Sequence, residues 1–259
     1  MVKEIYLRGF WKENRMESDR SDAMMNSPLG VYEELYENHA IKISDAENVG
    51  GGDFEKIGLA QLQILKYFGL RENSYILDFG CGTGRLGKHA ISYLKPRRYV
   101  GTDISPTMLQ KFKMTLGEVN YYSLYQQVDY DFAFTNLKFD FISAFSVFTH
   151  MEIEDTARYL KSIKEVSSPG TRLIASVLEW NSELGRQVFE EQMNLDFQDR
   201  WKGVRNFMTC KDHFLSISES LGWSLKSWIG GDLEVIPIEN NPKAKWKFGQ
   251  SLVVLELIR

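Results

Sequence analysis

Cysteine is scarce in this sequence. Cys81 and Cys210 are the only two among 259 residues, and they lie far apart without C-x-x-C spacing. This excludes a disulfide framework and argues against a zinc site built from cysteines. Functional chemistry is therefore expected from side chains other than thiols.

Long runs of a single kind are also absent. No stretch of like charge exceeds a few residues and the formal net charge is −4, so a basic surface for a nucleic-acid backbone is not expected. No apolar stretch approaches the roughly 20 residues that a membrane span needs. Residues 1–12 mix charged and aromatic side chains, unlike a signal peptide. These absences predict a cytoplasmic protein with neither a nucleic-acid nor a membrane partner.

The chain divides into two units of different character. Residues 1–72 have a helical and irregular pattern, which predicts an N-terminal helical cap with Asp53 as the N-cap of a helix that ends near Gly69. In residues 73–259, short apolar runs alternate with amphipathic stretches. Residues 180–209 within this second unit are polar and aromatic, and we expect them to form a cap insertion.

This alternation predicts strands and helices in βαβ order, and therefore a mostly parallel sheet. Ser105-Pro106 supplies a cap and a first-turn proline for one helix, and Thr149 and Glu152 have capping-box spacing for another. The seven predicted strands are 75–79, 99–102, 120–125, 139–145, 171–178, 223–229 and 251–258, and the predicted helices are 85–94, 106–116, 150–166 and 211–221.

The most informative stretch is residues 76–85, Ile-Leu-Asp-Phe-Gly-Cys-Gly-Thr-Gly-Arg. A hydrophobic strand leads into Gly80, Gly82 and Gly84 and then into a helix. A tight turn without Cβ atoms lets a ligand lie against the backbone, and the helix start offers free N–H groups. About 20 residues later a second strand ends at Asp103, where a carboxylate can accept hydrogen bonds from ribose hydroxyls. A purely structural turn, and a helix cap at Asp103, are the alternatives.

Two kinds of nucleotide ligand fit these glycines. Gly82-x-Gly84-x-x-Gly87 satisfies the dinucleotide pattern, but Asp78 completes the different pattern D-x-G-x-G-x-G. A carboxylate at Asp78 would attract the ammonium group of a methionine moiety and repel a pyrophosphate. In a nicotinamide-binding strand it would be buried unpaired, which is costly. The pattern therefore favours S-adenosylmethionine, with a structural carboxylate as the alternative role of Asp78.

Residues 76–103 resemble motifs I and II of class I S-adenosylmethionine-dependent methyltransferases. Residues 138–151, Lys-Phe-Asp-Phe-Ile-Ser-Ala-Phe-Ser-Val-Phe-Thr-His-Met, are similar to the fourth-strand motif of the small-molecule type. Residues 169–174 resemble the family's proline-glycine turn and fifth strand, with Thr171 in place of the second glycine. The resemblance covers residues 75–180, and the two closing strands fit the family's antiparallel sixth and seventh.

The resemblance implies an α/β fold with a seven-stranded, mostly parallel sheet, an antiparallel C-terminal strand and helices on both faces. It also implies S-adenosylmethionine as the cofactor and no metal. Relatives carry an acidic or amide side chain after the third strand for adenine, and here Asp129 is favoured over Asp131, with a polar loop as the bland alternative. The positions that match the family's cofactor site are Asp78, Gly80, Gly82, Gly84, Asp103, Ile104, Asp129 and Phe145.

His150 is the candidate catalytic residue. It follows the fourth predicted strand, whose carboxyl end opens on the cofactor crevice in such folds. In the first turn of the predicted helix the dipole favours the neutral ring, and a neutral imidazole can act as a general base. A histidine that merely occupies the helix start is the alternative.

His39, Glu179 and His213 are weaker candidates, because each is more often structural. Aromatic residues outside the motifs form either a satellite core or a lid with an aromatic acceptor pocket. These aromatic residues are Phe10, Trp11, Tyr32, Tyr36, Trp180, Phe197, Trp201 and Phe207.

These features predict methyl transfer from S-adenosylmethionine to an oxygen or nitrogen of a small molecule, such as a sugar or a natural-product intermediate. One alternative is an NAD(P)-dependent oxidoreductase, and another is a binding or scaffold protein that keeps the cofactor fold without turnover. A nucleic-acid methyltransferase is disfavoured, because residues 145–148 lack the N/D-P-P-Y/F motif and no basic face is present.

Overall fold

The computed structural model describes residues 29–43, 52–239 and 241–258. The helices are α1 (Gly30–Lys42), α2 (Phe54–Tyr67), α3 (Arg85–Tyr93), α4 (Pro106–Leu116), α5 (Ile153–Ser162), α6 (Glu183–Met193) and α7 (Lys211–Ser220). The strands are β1 (Ile76–Phe79), β2 (Tyr99–Asp103), β3 (Ser123–Gln126), β4 (Phe139–Ala144), β5 (Ser167–Glu179), β6 (Met208–Thr209), β7 (Trp223–Ile229), β8 (Ile236–Ile238), β9 (Asn241–Trp246) and β10 (Ser251–Leu257). Short 3₁₀ helices cover Ile163–Val166 and Asp199–Trp201.

The central sheet has the strand order β3-β2-β1-β4-β5-β10-β7, and β6 pairs with β5 off this path. Strands β1 to β5 are parallel to one another, while β10 is antiparallel to both β5 and β7. This confirms the predicted α/β fold with an antiparallel C-terminal strand. The expectation that both closing strands are antiparallel is wrong, because β7 pairs against β10 and so points in the same direction as the parallel set.

β1 lies at the centre of the sheet, and its four residues are all buried. Leu77 and Phe79 pack into a cluster with α5 and α7, whereas Ile76 packs on the opposite face with α2, α3 and α4. Burial on both faces explains why the strand has no polar alternation. Because β2 and β4 flank β1, its carboxyl end lies at the switch point of the sheet, where α/β proteins bind ligands.

Two of the predicted N-caps are confirmed and one is wrong. Ser105 Oγ accepts a hydrogen bond from Met108 N at 3.1 Å, and Asp53 Oδ1 accepts one from Lys56 N at 3.0 Å. The helix predicted from residue 150 begins instead at Ile153, without a side-chain cap. Thr149 is fully buried and its carbonyl accepts from Phe207 N, so tertiary contacts hold it away from a capping position.

Several elements differ from the sequence-based expectation. The β8–β9 hairpin was not predicted and packs beside α2, where Gln63 Oε1 accepts from Glu239 N (3.1 Å) and Trp246 Nε1 (2.9 Å). β5 begins at Ser167, before the predicted proline-glycine turn. Residues 1–28 and 44–51 of the predicted cap lie outside the described residues. Within the described ranges, no helix is both long and apolar enough to cross a membrane.

Candidate functional site

The glycine turn after β1 forms the floor of the candidate site. Gly80, Gly82 and Gly84 have φ of +71°, +54° and +90°, a left-handed region that other residues rarely adopt. A Cβ at Gly80 would overlap a methyl group of Val147, whereas a Cβ at Gly82 would meet no atom within 4 Å. The space beside the Gly82 backbone is therefore open, and a glycine there leaves it free of any side chain.

Asp103 ends β2 beside this turn. Its carboxylate oxygens accept hydrogen bonds from Gly82 N (2.8 Å) and Ser105 N (2.9 Å). Burial raises the pKa of Asp103 to about 6, against the opposing effect of these backbone bonds, so the group is largely ionised at neutral pH. Each oxygen keeps a further lone pair. The ionised carboxylate can therefore still accept hydrogen bonds from the hydroxyls of a ligand.

A crevice opens above the turn at the carboxyl ends of β1, β2 and β4. Its lining includes Gly80, Asp103, Ile104, Val147 and His150. The strand order places this crevice at the switch point of the sheet. The structure thus brings together Gly80 of the glycine turn, the acidic end of β2 and the candidate catalytic histidine, whereas Gly82 and Gly84 are not among the lining residues.

Helix α1 forms the roof of the crevice, into which Tyr32 and Tyr36 project. On one side the Tyr32 hydroxyl donates to Asp155 Oδ2 (2.7 Å) and accepts from Glu152 N (3.1 Å). On the other side Glu37 accepts hydrogen bonds from the first turn of α4. These hydrogen bonds connect α1 to α4 on one side and to the start of α5 on the other. Helix α1 therefore crosses the crevice between the two helices.

The strands that build this crevice match a known protein family. The sequence model of the family described as "Methyltransferase domain" matches residues 77–173, from β1 into β5. Residues 77–173 are a class I methyltransferase domain. This match, together with the solved structures described next, supports S-adenosylmethionine as the cofactor. Both findings confirm the resemblance seen in the sequence.

One relative in sequence and two solved methyltransferase structures are similar to this chain. An uncharacterized protein of Methanocaldococcus jannaschii is 29% identical over 168 residues, which is 62% of this chain and 43% of that protein. The chain thus spans less than half the length of this curated relative. The N-methyltransferase NodS of Bradyrhizobium japonicum, in complex with S-adenosylhomocysteine, has a TM-score of 0.59 at 14% identity, over 88% of this chain and 99% of that chain. Magnesium protoporphyrin IX methyltransferase from Synechocystis PCC 6803, with bound S-adenosylhomocysteine, has a TM-score of 0.55 at 18% identity, over 80% and 90%.

Asp78 of the methyltransferase domain lies on β1 and is not part of the crevice wall. Its buried carboxylate accepts hydrogen bonds from the Tyr99 hydroxyl (2.5 Å) and from Ser143 Oγ (2.8 Å). Burial raises the pKa of Asp78 to about 6. Hydroxyl groups on the two flanking strands therefore satisfy this carboxylate. Its predicted contact with the methionine ammonium group stays a prediction.

Gln127, directly after β3, is a site residue that the sequence analysis missed. It lines the crevice, and its Nε2 donates to Asp131 O at 3.0 Å. Its buried Oε1 makes no hydrogen bond to any residue in the described part of the chain. Asp129 does not line the crevice, and its Oδ1 accepts from Asp131 N at 2.9 Å. The available signal was an amide side chain two residues after the predicted third strand.

His150 lines the crevice with a defined tautomer. Its Nδ1 lies 2.9 Å from Arg205 O, and a carbonyl can only accept, so Nδ1 carries the proton. In the neutral ring the lone pair is then on Nε2. Burial lowers the pKa of His150 and favours that neutral ring. The helix-dipole argument for the same state is wrong, because α5 begins three residues later, at Ile153.

Ile104 and Phe145, two further predicted cofactor contacts, occupy different surroundings. Ile104 lines the crevice, whereas Phe145 packs against the core cluster on the α2 and α3 side. The next residue, Ser146, lines the crevice with a left-handed φ of 58°, and its N donates to Ser176 Oγ at 2.7 Å. The turn after β4 is thus held by a side chain of β5. The contact assigned to Phe145 stays a prediction.

The weaker candidates lie outside the crevice. His39 is on α1 but is not among the residues that line it. The Glu179 carboxylate accepts from Trp228 Nε1 (3.1 Å) and Ser251 Oγ (2.7 Å), which is a structural role. His213 borders a second cavity between α5 and α7. In the ranges that the structure covers, no cluster of three or more His, Cys, Asp or Glu could hold a metal ion.

The predicted aromatic lid stays a prediction, and the structure places its aromatic residues in different surroundings. Trp180 packs on Phe189 of α6, with ring centroids 4.4 Å apart, and the Arg205 guanidinium lies over the rings of Trp201 and Phe207. Tyr32 and Tyr36 line the crevice, whereas Trp180, Phe197, Trp201 and Phe207 do not. Phe10 and Trp11 lie outside the described residues.

Proposed function

We propose that this chain transfers the methyl group of S-adenosylmethionine to an oxygen or nitrogen of a small-molecule acceptor, with His150 as the general base. The observation that carries the proposal is that one crevice brings together the glycine turn, Asp103 and His150. The turn and Asp103 belong to the cofactor motifs of the domain. His150 supplies an imidazole beside them, and its lone pair has a fixed position on the ring.

The residues of the crevice fit this cofactor. Gly80 lines the crevice without a side chain that would block a ligand, and Asp103 is largely ionised at neutral pH and can accept hydrogen bonds from ribose hydroxyls. The unpartnered Oε1 of Gln127 is an acceptor for the amino group of adenine. We therefore assign the adenine contact to Gln127, with Asp129 as the sequence-based alternative.

Bound S-adenosylmethionine supplies a methyl group on a positively charged sulfur, so the donor needs no further activation. What the chain must provide is proximity and orientation, together with a base for an acceptor that is protonated. Nε2 of His150 takes the proton from the acceptor O–H or N–H. The bond from Nδ1 to the Arg205 carbonyl holds the ring in place and stabilises the imidazolium that forms.

A small acceptor is supported by the roof and by the charge of the chain. α1 crosses the crevice and is fastened at both sides, which restricts the size of molecules that can enter. The formal net charge of −4 provides no attraction for a nucleic-acid backbone. The printed names of two similar structures, an N-methyltransferase and a magnesium protoporphyrin IX methyltransferase, are compatible with this choice.

Two measurements test the proposal. Calorimetric titrations should show binding of S-adenosylmethionine and S-adenosylhomocysteine with dissociation constants of about 1 μM to 1 mM, the range typical of KM values, and no binding of NAD(P). Release of S-adenosylhomocysteine is then followed against a panel of small alcohols, phenols and amines. Binding of NAD(P) without S-adenosylmethionine would contradict the proposal. Cofactor binding with no turnover on any acceptor would favour the scaffold alternative.

A further inference from the structure

Tyr36 of the roof helix holds a buried hydroxyl inside the crevice. The side chain lines the crevice, and its hydroxyl makes no hydrogen bond to any residue that the structure describes. A polar group that loses water without gaining a partner is unfavourable, and such groups are uncommon in folded proteins. A ligand that this hydroxyl contacts gives a physical reason for its position.

The neighbours of Tyr36 locate it along the crevice. Its ring is edge-on to the ring of His150, with centroids 6.1 Å apart. Burial raises the pKa of the Tyr36 hydroxyl, and the nearby Asp103 carboxylate raises it further. Asp103 marks the ribose end in the proposed function and His150 marks the place of methyl transfer. The cofactor's sulfur joins these two regions, and Tyr36 lies between them.

We infer that the Tyr36 hydroxyl oxygen faces the positively charged sulfur and its methyl group, and that it makes the crevice prefer S-adenosylmethionine over S-adenosylhomocysteine. This inference rests on the proposed function, because it assumes that the cofactor occupies this crevice. It adds a residue from outside the family match, since Tyr36 precedes residues 77–173. It also gives Tyr36 a task that neither the glycine turn nor Asp103 performs.

The chemistry of a phenol suits this task. The oxygen lone pairs attract a cation and the polarised C–H bonds of a methyl group attached to it, but they gain little from the uncharged sulfur of the product. A tyrosine hydroxyl is neutral near pH 7, and burial raises the pKa of Tyr36 further above its ordinary value. The neutral hydroxyl therefore attracts the cation through its dipole. Because it carries no negative charge, Tyr36 does not replace His150 as the base.

Tyr36→Phe tests the inference, because it removes one oxygen and keeps the ring that packs beside His150. The dissociation constants of S-adenosylmethionine and S-adenosylhomocysteine are measured by calorimetry for the wild type and the variant. We expect about threefold to fivefold weaker binding of S-adenosylmethionine, the effect of one or two weak C–H···O contacts, and less than a twofold change for S-adenosylhomocysteine. Melting temperatures verify that the variant is folded.

Tyr32→Phe is the matched control. Tyr32 is on the same helix and lines the same crevice, but its hydroxyl is bonded to Asp155 and to the amide of Glu152. Removing that oxygen loosens the roof, so we expect both ligands to lose affinity by the same factor. The ratio of the two dissociation constants should therefore change in Tyr36→Phe and stay constant in Tyr32→Phe.

Two outcomes would overturn the inference while leaving the proposed function intact. In one, Tyr36→Phe weakens both ligands equally, as it would if the hydroxyl bonded the ribose. In the other, neither dissociation constant changes. A wild-type protein that binds neither ligand would instead overturn the proposed function itself. An analogue with an ammonium group in place of the methyl-bearing sulfur provides a second readout, and it should also lose affinity in Tyr36→Phe.

Discussion

At the scale of single residues, the two buried carboxylates of the methyltransferase domain differ in what satisfies them. The side-chain hydroxyls of Tyr99 and Ser143 donate hydrogen bonds to the Asp78 carboxylate. The backbone N–H groups of Gly82 and Ser105 donate hydrogen bonds to the Asp103 carboxylate, which lines the crevice. Burial raises the pKa of both carboxylates to about 6. Position, and not protonation, therefore distinguishes the carboxylate that is available to a ligand.

Asp103→Ala should weaken the binding of S-adenosylmethionine by about 1.5–3 kcal/mol, the range for hydrogen bonds to a charged group. The change removes the ribose acceptor and also the bond that holds Gly82. Calorimetry measures the effect. Asp140→Ala is the control, because Asp140 also accepts a backbone N–H (Tyr75, 2.8 Å) but at the opposite end of the sheet. Wild-type affinity in Asp103→Ala would show that the ribose assignment is wrong.

The raised pKa of Asp103 predicts opposite pH dependences for binding and stability. As the pH falls through about 6, protonation removes the charge that accepts the ribose hydroxyls, so affinity for S-adenosylmethionine should fall. The unfolded pKa is near 3.8, so the folded chain binds more protons between these values. The contribution of Asp103 to stability therefore decreases as the pH rises through that window. Titrations at several pH values test the first effect, which should be absent in Asp103→Ala.

His150→Ala should lower kcat by about 10²–10⁴, the usual contribution of general acid–base catalysis, with little change in cofactor affinity. His150→Gln should recover part of the loss if the residue orients the acceptor and little if it transfers a proton. Because burial lowers the pKa of His150, kcat should decline only below the ordinary range of histidine. The measurement is steady-state turnover with an acceptor found by the screen. His213→Ala, at the second cavity, is the control. A near-wild-type kcat in His150→Ala would contradict the prediction and would show that proximity and orientation alone account for methyl transfer.

At the scale of elements, the sequence predicted what is encoded locally. β1, the glycine turn and the end of β2 follow from a hydrophobic run, three glycines and one acidic residue close together in the chain. The start of α5 was misplaced because it depends on a bond from Phe207 N to Thr149 O, between distant parts of the sequence. The sequence offered Tyr32 and Tyr36 as residues of a lid or of a satellite core, but it could not say which side of α1 faces the crevice, because the apolar residues of α1 do not form one face. Gln127 was missed because counting back from the fourth strand pointed to Asp129.

Glu37→Gln tests how the roof is fastened. The Glu37 carboxylate accepts from Ser105 Oγ (2.6 Å) and from the backbone and hydroxyl of Thr107, and these bonds lower its pKa against the effect of burial. An amide replaces one acceptor oxygen with a donor, so α1 should open more often. We expect faster hydrogen exchange in α1 and faster cofactor dissociation, while exchange in the sheet is unchanged. Asn38→Ala, exposed on the same helix, is the control, and equal exchange in both variants would contradict the prediction.

At the scale of the whole molecule, the crevice combines two sources of residues. The matched range 77–173 supplies the floor, Asp103 and His150. Segments outside that range supply the roof, through Tyr32 and Tyr36, and the carbonyl of Arg205 that fixes the tautomer of His150. The proposed ribose and adenine contacts thus lie within the matched range, whereas the proposed surroundings of the methyl group, including Tyr36, come from distant parts of the sequence. Acceptor choice is therefore expected to depend on α1 and on residues near Arg205.

Cofactor binding should also raise the melting temperature of the whole chain. A ligand that binds the folded state and not the unfolded one stabilises it by RT ln(1 + [L]/Kd), about 2.7 kcal/mol at 100 times Kd. In a chain of this size each kcal/mol shifts Tm by roughly 2–4 °C, so S-adenosylmethionine should shift it by about 5–11 °C. Scanning fluorimetry measures this without an acceptor. At the same ligand concentration the shift should shrink in Asp103→Ala, because that variant lacks the ribose acceptor. A shift with NAD(P) and none with S-adenosylmethionine would favour the oxidoreductase alternative, and an undiminished shift in Asp103→Ala would place the cofactor outside this crevice.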